Sequence, residues 1–124
     1  IKGDPAGKID LESLCRAVGI NRIRVVDPYD LDACEKALRE ELAANEPSVI
    51  ISRRPCVLLK YVKPKTPLEV DHEKCRGCKK CMKFGCPAIS IHNGKAAIDK
   101  TLCIGCEVCT QLCGFGAIGN GGNE

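Results

Sequence analysis

Eight of the eleven cysteines in this 124-residue chain lie between positions 75 and 113, in two runs. The first is Cys75-Arg-Gly-Cys78-Lys-Lys-Cys81, followed by Cys86-Pro87. The second is Cys103-Ile-Gly-Cys106-Glu-Val-Cys109, followed by Cys113-Gly114. The second triplet repeats the first at an offset of 28 residues, and Gly77 matches Gly105. Whatever this segment folds into must bring each triplet to one tight loop and find a use for a fourth thiol farther along.

Three cysteines at this spacing wrap one loop around a single four-iron, four-sulfide cubane, each thiolate reaching a different iron. The fourth iron then needs a more distant cysteine. A structural zinc site uses four ligands in two pairs, often about 12–20 residues apart, which two triplets fit poorly. A disulfide framework suits the triplets no better. Two 4Fe–4S clusters are therefore the chemistry that the spacing favours. They also answer a shortage: aromatics are 3% of the chain and Trp is absent, so metal stands in for a large apolar core. Gly77 and Gly105 permit close approach of backbone to the sulfides, with amides pointing inward. His72 and His92 read as surface residues, because eight cysteines satisfy two cubanes.

Between the runs, Asn93-Gly94 separates two short apolar stretches, Ile89–His92 and Lys95–Ile98, which predicts a hairpin. Short helices are expected after the triplets.

The first half carries a different pattern. Asp10 can cap a helix with Leu11, Leu14, Cys15 and Val18 on one face, stopped at Gly19. Ile23–Val26 is a strand candidate. Asp30 caps a second helix, with Asp32 in its first turn and an apolar stripe of Leu31, Cys34, Leu38 and Leu42. Ser48–Ser52 is apolar without alternation, as in a strand buried on both faces. The order predicts a right-handed parallel βαβ unit, too small for a domain of its own, with further strands expected upstream of Ile1. Cys15, Cys34 and Cys56 read as structural, and Arg53-Arg54 as a solvated strand end. Residues 60–70, with Pro64 and Pro67, read as an extended linker between parts 1–59 and 71–124.

Charge separates the two parts. Residues 1–56 hold nine Lys/Arg against ten Asp/Glu; residues 57–124 hold ten against six. The excess cations include Lys74, Arg76, Lys79, Lys80 and Lys83, around the first cysteine run. Nucleic acid is disfavoured, since no aromatics are interleaved to stack bases. No apolar run approaches the roughly 18 residues of a membrane helix, and a leader is not visible in a chain that opens with Ile1.

The tail, about residues 69–120, resembles bacterial-type two-cluster ferredoxins, which are small α+β domains. That resemblance implies one cluster on Cys75, Cys78, Cys81 and Cys113 and the other on Cys103, Cys106, Cys109 and Cys86. Two features depart from the family: four residues, not three, precede Cys86, and Gly114 stands where Pro is usual. The run Val25–Cys34 and the run Ser48–Cys56 look like the end of the thiamine-diphosphate domain of 2-oxoacid:ferredoxin oxidoreductases. A ferredoxin domain placed after that α/β domain is similar to the α subunits of the indolepyruvate-type members. The resemblance implies a cytoplasmic enzyme of anaerobic metabolism that oxidises an aryl 2-oxoacid. It would use thiamine diphosphate, Mg and coenzyme A, pair with a β subunit, and pass electrons through the clusters to an external ferredoxin. The family's thiamine site needs a Gly-Asp-Gly turn; Gly3-Asp4-Pro5 is not one, so no catalytic or thiamine-binding residue is assigned in this chain. A ferredoxin-type wiring module of another iron–sulfur oxidoreductase, or a structural zinc or interaction module, are the competing readings.

Overall fold

A computed structural model describes residues 6–120; Gly3-Asp4-Pro5 and the last four residues lie outside them. The chain divides into two compact units, Ile1–Arg54 and Pro55–Glu124.

In the first unit, helix α1 (Leu11–Ala17) begins where the Asp10 carboxylate accepts the amides of Glu12 and Ser13 at 3.0 and 3.2 Å. Gly19, at φ +89°, turns the chain out of it. Strand β1 (Arg22–Val26) and strand β2 (Ser48–Ser52) pair in parallel, Arg22 opposite Ser48 and Val26 opposite Ser52. Helix α2 (Leu31–Leu42) is the crossover between them, and the Asp30 carboxylate accepts the Ala33 amide at 3.0 Å. The helix–strand–helix–strand order and both caps match the sequence expectation.

The buried faces do not. Helix α2 buries Ala37 and Glu41, while Leu38 and Leu42 are 51% and 83% exposed. The reason is electrostatic and steric: Arg22 and Arg24 project from β1 toward α2 and clamp Glu41 at 2.9 and 3.0 Å. Alanine at position 37 lets the helix approach the strands. Helix α1 has no buried residue, and Leu14 is 51% exposed. In β2 only Ile51 is buried, so the strand is not covered on both faces. Cys15 and Cys34 are half-buried rather than core, and Cys56 is exposed. Arg53 and Arg54 are not simply solvated. Arg53 pairs with Glu12 at 3.1 Å. Arg54 pairs with Asp27 and lies over the Tyr29 ring, 3.9 Å from its centre.

The second unit starts at Pro55, ahead of the expected boundary. Residues 65–70 are not a free spacer. Leu68 is 1% exposed, and the Lys65 amide donates to the Ile104 carbonyl at 3.2 Å. Strand β3 (Glu69–Val70) pairs antiparallel with the last strand, β6 (Ile118–Gly119). The two prolines keep the segment extended, and extended backbone serves equally for a spacer or for a strap laid on a surface.

Strands β4 (Ile89–His92) and β5 (Lys95–Ile98) form the expected hairpin, His92 opposite Lys95. Asn93 and Gly94 have φ of +49° and +77°, the left-handed pair that a tight two-residue turn requires. A 3-10 turn, Lys80–Phe84, and helix α3 (Val108–Leu112) hold the third cysteine of each triplet. They begin inside the triplets rather than after them. The core is small: Leu68, Cys81, Ile89, Ala96, Cys109 and Ile118. Two of its six members are cysteines, which fits a unit that relies on metal.

Candidate metal centre

The two cysteine loops have the same backbone. Gly77 and Gly105 sit at φ +65° and +66°, and Lys79 and Glu107 at +58° and +64°. The 28-residue repeat is thus a repeat of conformation, down to a left-handed non-glycine residue before each helical turn. Each glycine is also a close approach. A Cβ on Gly77 would stand 2.3 Å from the Gly94 carbonyl oxygen, at the hairpin turn. A Cβ on Gly105 would stand 2.6 Å from the Thr66 carbonyl oxygen and 2.7 Å from the Lys65 Cβ. Protein backbone therefore presses on both loops from outside, a demand for glycine that the sequence alone does not reveal.

The first triplet lines a hollow together with Cys113, so that Cys75, Cys78, Cys81 and Cys113 face one space, with Ala96 and Ile118 among its apolar walls. The fourth thiol comes from the second run, at the C-terminal end of α3. Electrostatics report the same grouping for the other set. Burial pushes the Cys109 thiol up to about 11, helped by the neighbouring Cys106, Cys103 and Cys86. Burial likewise raises Cys81, whose neighbours are Cys78, Cys113 and Cys75. Each buried thiol thus feels the other two of its own triplet and one from the opposite run. Ahead of Cys86, Gly85 is left-handed at φ +71° and closes the 3-10 turn, and Cys86 itself is half-buried.

Amides already point at the sulfurs. The Ala117 N–H donates to Cys113 Sγ at 3.3 Å, and the Leu68 N–H to Cys103 Sγ at 3.4 Å. Amides of Ala96 and Gly77 hold the Cys75 thiol below its ordinary range. Bound iron would reverse the effect of burial on Cys81 and Cys109, because a coordinating thiol is deprotonated outright.

The donor set fits iron–sulfur clusters. Eight soft thiolate donors stand in two sets of four, with N–H groups aimed at them, and none of the eleven cysteines is in a disulfide. Among the described residues, no three His, Cys, Asp or Glu side chains are grouped to hold one metal ion. His72 and His92 are exposed. Arg76, Lys79 and Lys80 border the first hollow, and Cys78 beside them is exposed. Lys74 pairs with Asp71 at 3.2 Å.

Residues 67–114, which include all eight cysteines, match the family model of the 4Fe–4S dicluster domain. That stretch of the second unit is thus similar to a 4Fe–4S dicluster domain. Such a domain holds two 4Fe–4S clusters. Over most of its length the chain is also similar to the indolepyruvate oxidoreductase subunit IorA. It is 38% identical to IorA of Pyrococcus horikoshii over 122 residues, covering 91% of this chain and 19% of that subunit. It is 36% identical to IorA of Methanothermobacter marburgensis over 117 residues, covering 94% of this chain and again 19% of the subunit. The chain thus spans about a fifth of the length of these relatives. A shorter match, 39% identical over 59 residues and covering 44% of this chain, is to a dihydromethanopterin reductase (acceptor) of Methanosarcina mazei, of which it spans 25%. The likeness to IorA extends beyond the dicluster domain into the βαβ unit, since it covers more of the chain than residues 67–114 do. Among the described residues, no helix is long and apolar enough to cross a membrane.

Proposed function

We propose that the chain is the electron-transfer part of an indolepyruvate-type 2-oxoacid:ferredoxin oxidoreductase. What supports the reading is the pair of exchanged four-thiol sets, following a βαβ unit in sequence, in a chain similar to IorA over 91–94% of its own length. On this reading Cys75, Cys78, Cys81 and Cys113 hold one cluster, and Cys103, Cys106, Cys109 and Cys86 the other. When bound, the clusters supply one-electron acceptance at a potential set by charge, hydrogen bonds and exposure. The chain's own residues hold the thiolates, exclude water from Cys81 and Cys109, and aim amides at the sulfurs. The βαβ unit is read as the end of a thiamine-diphosphate domain. The thiamine diphosphate, Mg, coenzyme A and 2-oxoacid sites would then belong to the rest of the α chain and its β subunit.

The partner follows from charge. Arg76, Lys79, Lys80 and Phe115 are exposed on the lining of the first hollow, and Met82, Lys83 and Phe84 are exposed in the adjoining 3-10 turn. Cations ringing apolar contacts suit an acidic external ferredoxin, steered by the field and then held by packing. Electron transfer to such a ferredoxin should slow as salt rises to about 0.2 M, where the screening length falls below about 10 Å. No slowing would remove the docking surface.

The test of the main reading is iron and acid-labile sulfide on anaerobically prepared protein, with paramagnetic resonance after reduction. About eight of each per chain, with spin coupling, is expected. Cys86→Ser and Cys78→Ser should each lower iron toward about four, from opposite sets. Zinc without sulfide would overturn the reading. The match to the dihydromethanopterin reductase favours one alternative, a wiring module shared with other oxidoreductases. Reduction of the clusters by indolepyruvate in the full complex separates the two.

A further inference from the structure

The two thiol sets are built alike but backed differently. Gly77, in the first loop, rests on the hairpin turn at Gly94. Gly105, at the matching place in the second loop, rests on Lys65 and Thr66. Those residues lie outside both cysteine runs, in the extended stretch that leads into the domain. Three further contacts fix that stretch to the second loop. The Lys65 amide donates to the Ile104 carbonyl at 3.2 Å. Lys65 Nζ pairs with Glu107 at 2.8 Å. The Leu68 amide donates to Cys103 Sγ at 3.4 Å, and the Leu68 side chain is fully buried. On the first set, the N–H donors come from Ala117, Ala96 and Gly77, none of them in that stretch.

We propose that Lys65–Leu68 is a strap that shields the second cluster and sets its reduction potential, leaving the first to be set by its own basic rim. The inference rests on the ligand sets proposed above. The physical basis is general: hydrogen bonds to sulfur, nearby charge and solvent exposure tune an iron–sulfur potential. The strap supplies one of each to one side only. Leu68 gives the N–H, Lys65 neutralises the Glu107 carboxylate next to Cys106, and the backbone of residues 65 and 66 covers the loop. These are positioning residues; none of them is a ligand. The consequence is a division of labour: a covered second site, and a first site with exposed Cys78 and lysines open to a partner.

The test is a potentiometric titration of the reconstituted chain followed by paramagnetic resonance, with iron release to bathophenanthroline as the second readout. The parent should hold about eight irons and titrate in two steps. Lys65→Gln leaves the Glu107 carboxylate unpaired and should lower one step at low salt. Lys80→Gln, on the rim of the first hollow, should lower the other. Gly105→Ala drives a Cβ into the strap. It should shift the same step as Lys65→Gln and release about half the iron some 10-fold faster than the parent. The strap is overturned if Lys65→Gln moves neither step, moves both equally, or moves the step that Lys80→Gln moves. Unchanged iron release in Gly105→Ala also overturns it; should that variant not fold, the lysine pair decides. A parent without two steps and eight irons overturns the ligand assignment itself, which separates that failure from a failure of the strap.

Discussion

Glu41 shows how a single carboxylate can decide a helix orientation. It is 6% exposed, yet two guanidinium groups reach it: Arg22 Nε at 2.9 Å and Arg24 Nε at 3.0 Å. Hydrogen bonds from Arg22 and then Arg24 outweigh burial and hold its carboxyl below the ordinary 4.5. A depressed folded-state value means stability that is present above about pH 4.5 and lost as pH falls through the lower folded value. Glu41→Gln should therefore lower the melting temperature at pH 7, and its deficit should shrink as the pH is taken below 4. Thermal melts by circular dichroism at both pH values check this; an equal deficit at both would assign the effect to packing alone. At the same scale, the repeat of the cysteine loops was legible from spacing, whereas the left-handed Lys79 and Glu107 were not. Lysine and glutamate carry no signal for that backbone, which the surrounding loop imposes.

At the scale of elements, most of the local expectations hold because their causes are local. Asp10 and Asp30 cap the two helices of the first unit through amides two or three residues away. Asn93-Gly94 makes its hairpin because both residues tolerate positive φ. Gly94 also carries the carbonyl oxygen against which Gly77 packs. Gly94→Ala should cost about 1 kcal/mol or more through its positive φ alone. In a unit of this size that lowers the melting temperature by about 4–8 °C, measured on the metal-loaded chain. The release of iron from the first set should quicken as the turn shifts. What failed at this scale was any judgement about which face of an element is covered. The stripe Leu31, Cys34, Leu38 and Leu42 has sound helical spacing, but α2 turns Ala37 and Glu41 inward instead. Periodicity shows that a helix has an apolar face, and the partner strands choose the face that is used.

For the molecule as a whole, the second unit has few large buried side chains; among the described residues, Leu68 and Val108 are the largest that are fully buried. Two small β pairs and two short helical turns around such a core need a staple. Removing iron with a chelator under reducing conditions should therefore unfold this unit, with loss of amide protection across β4 and β5 in hydrogen exchange. Retained protection would mean that the thiol hollows persist without metal.

The cysteine runs by themselves pointed to a cluster domain in the second half, and Asn93-Gly94 to the hairpin between them. These are short-range facts: a thiolate needs a neighbour three positions on to share one cubane, and a tight turn needs two residues that accept positive φ. Only the tertiary structure decided that residues 65–70 are a strap rather than a spacer, that Gly77 and Gly105 yield to backbone from different elements, and that Glu41 is buried between two arginines. Each of those depends on contacts between residues about 17 to 42 positions apart. Nothing in local spacing records them, because the free energy of such contacts is gained only after the chain has folded back on itself.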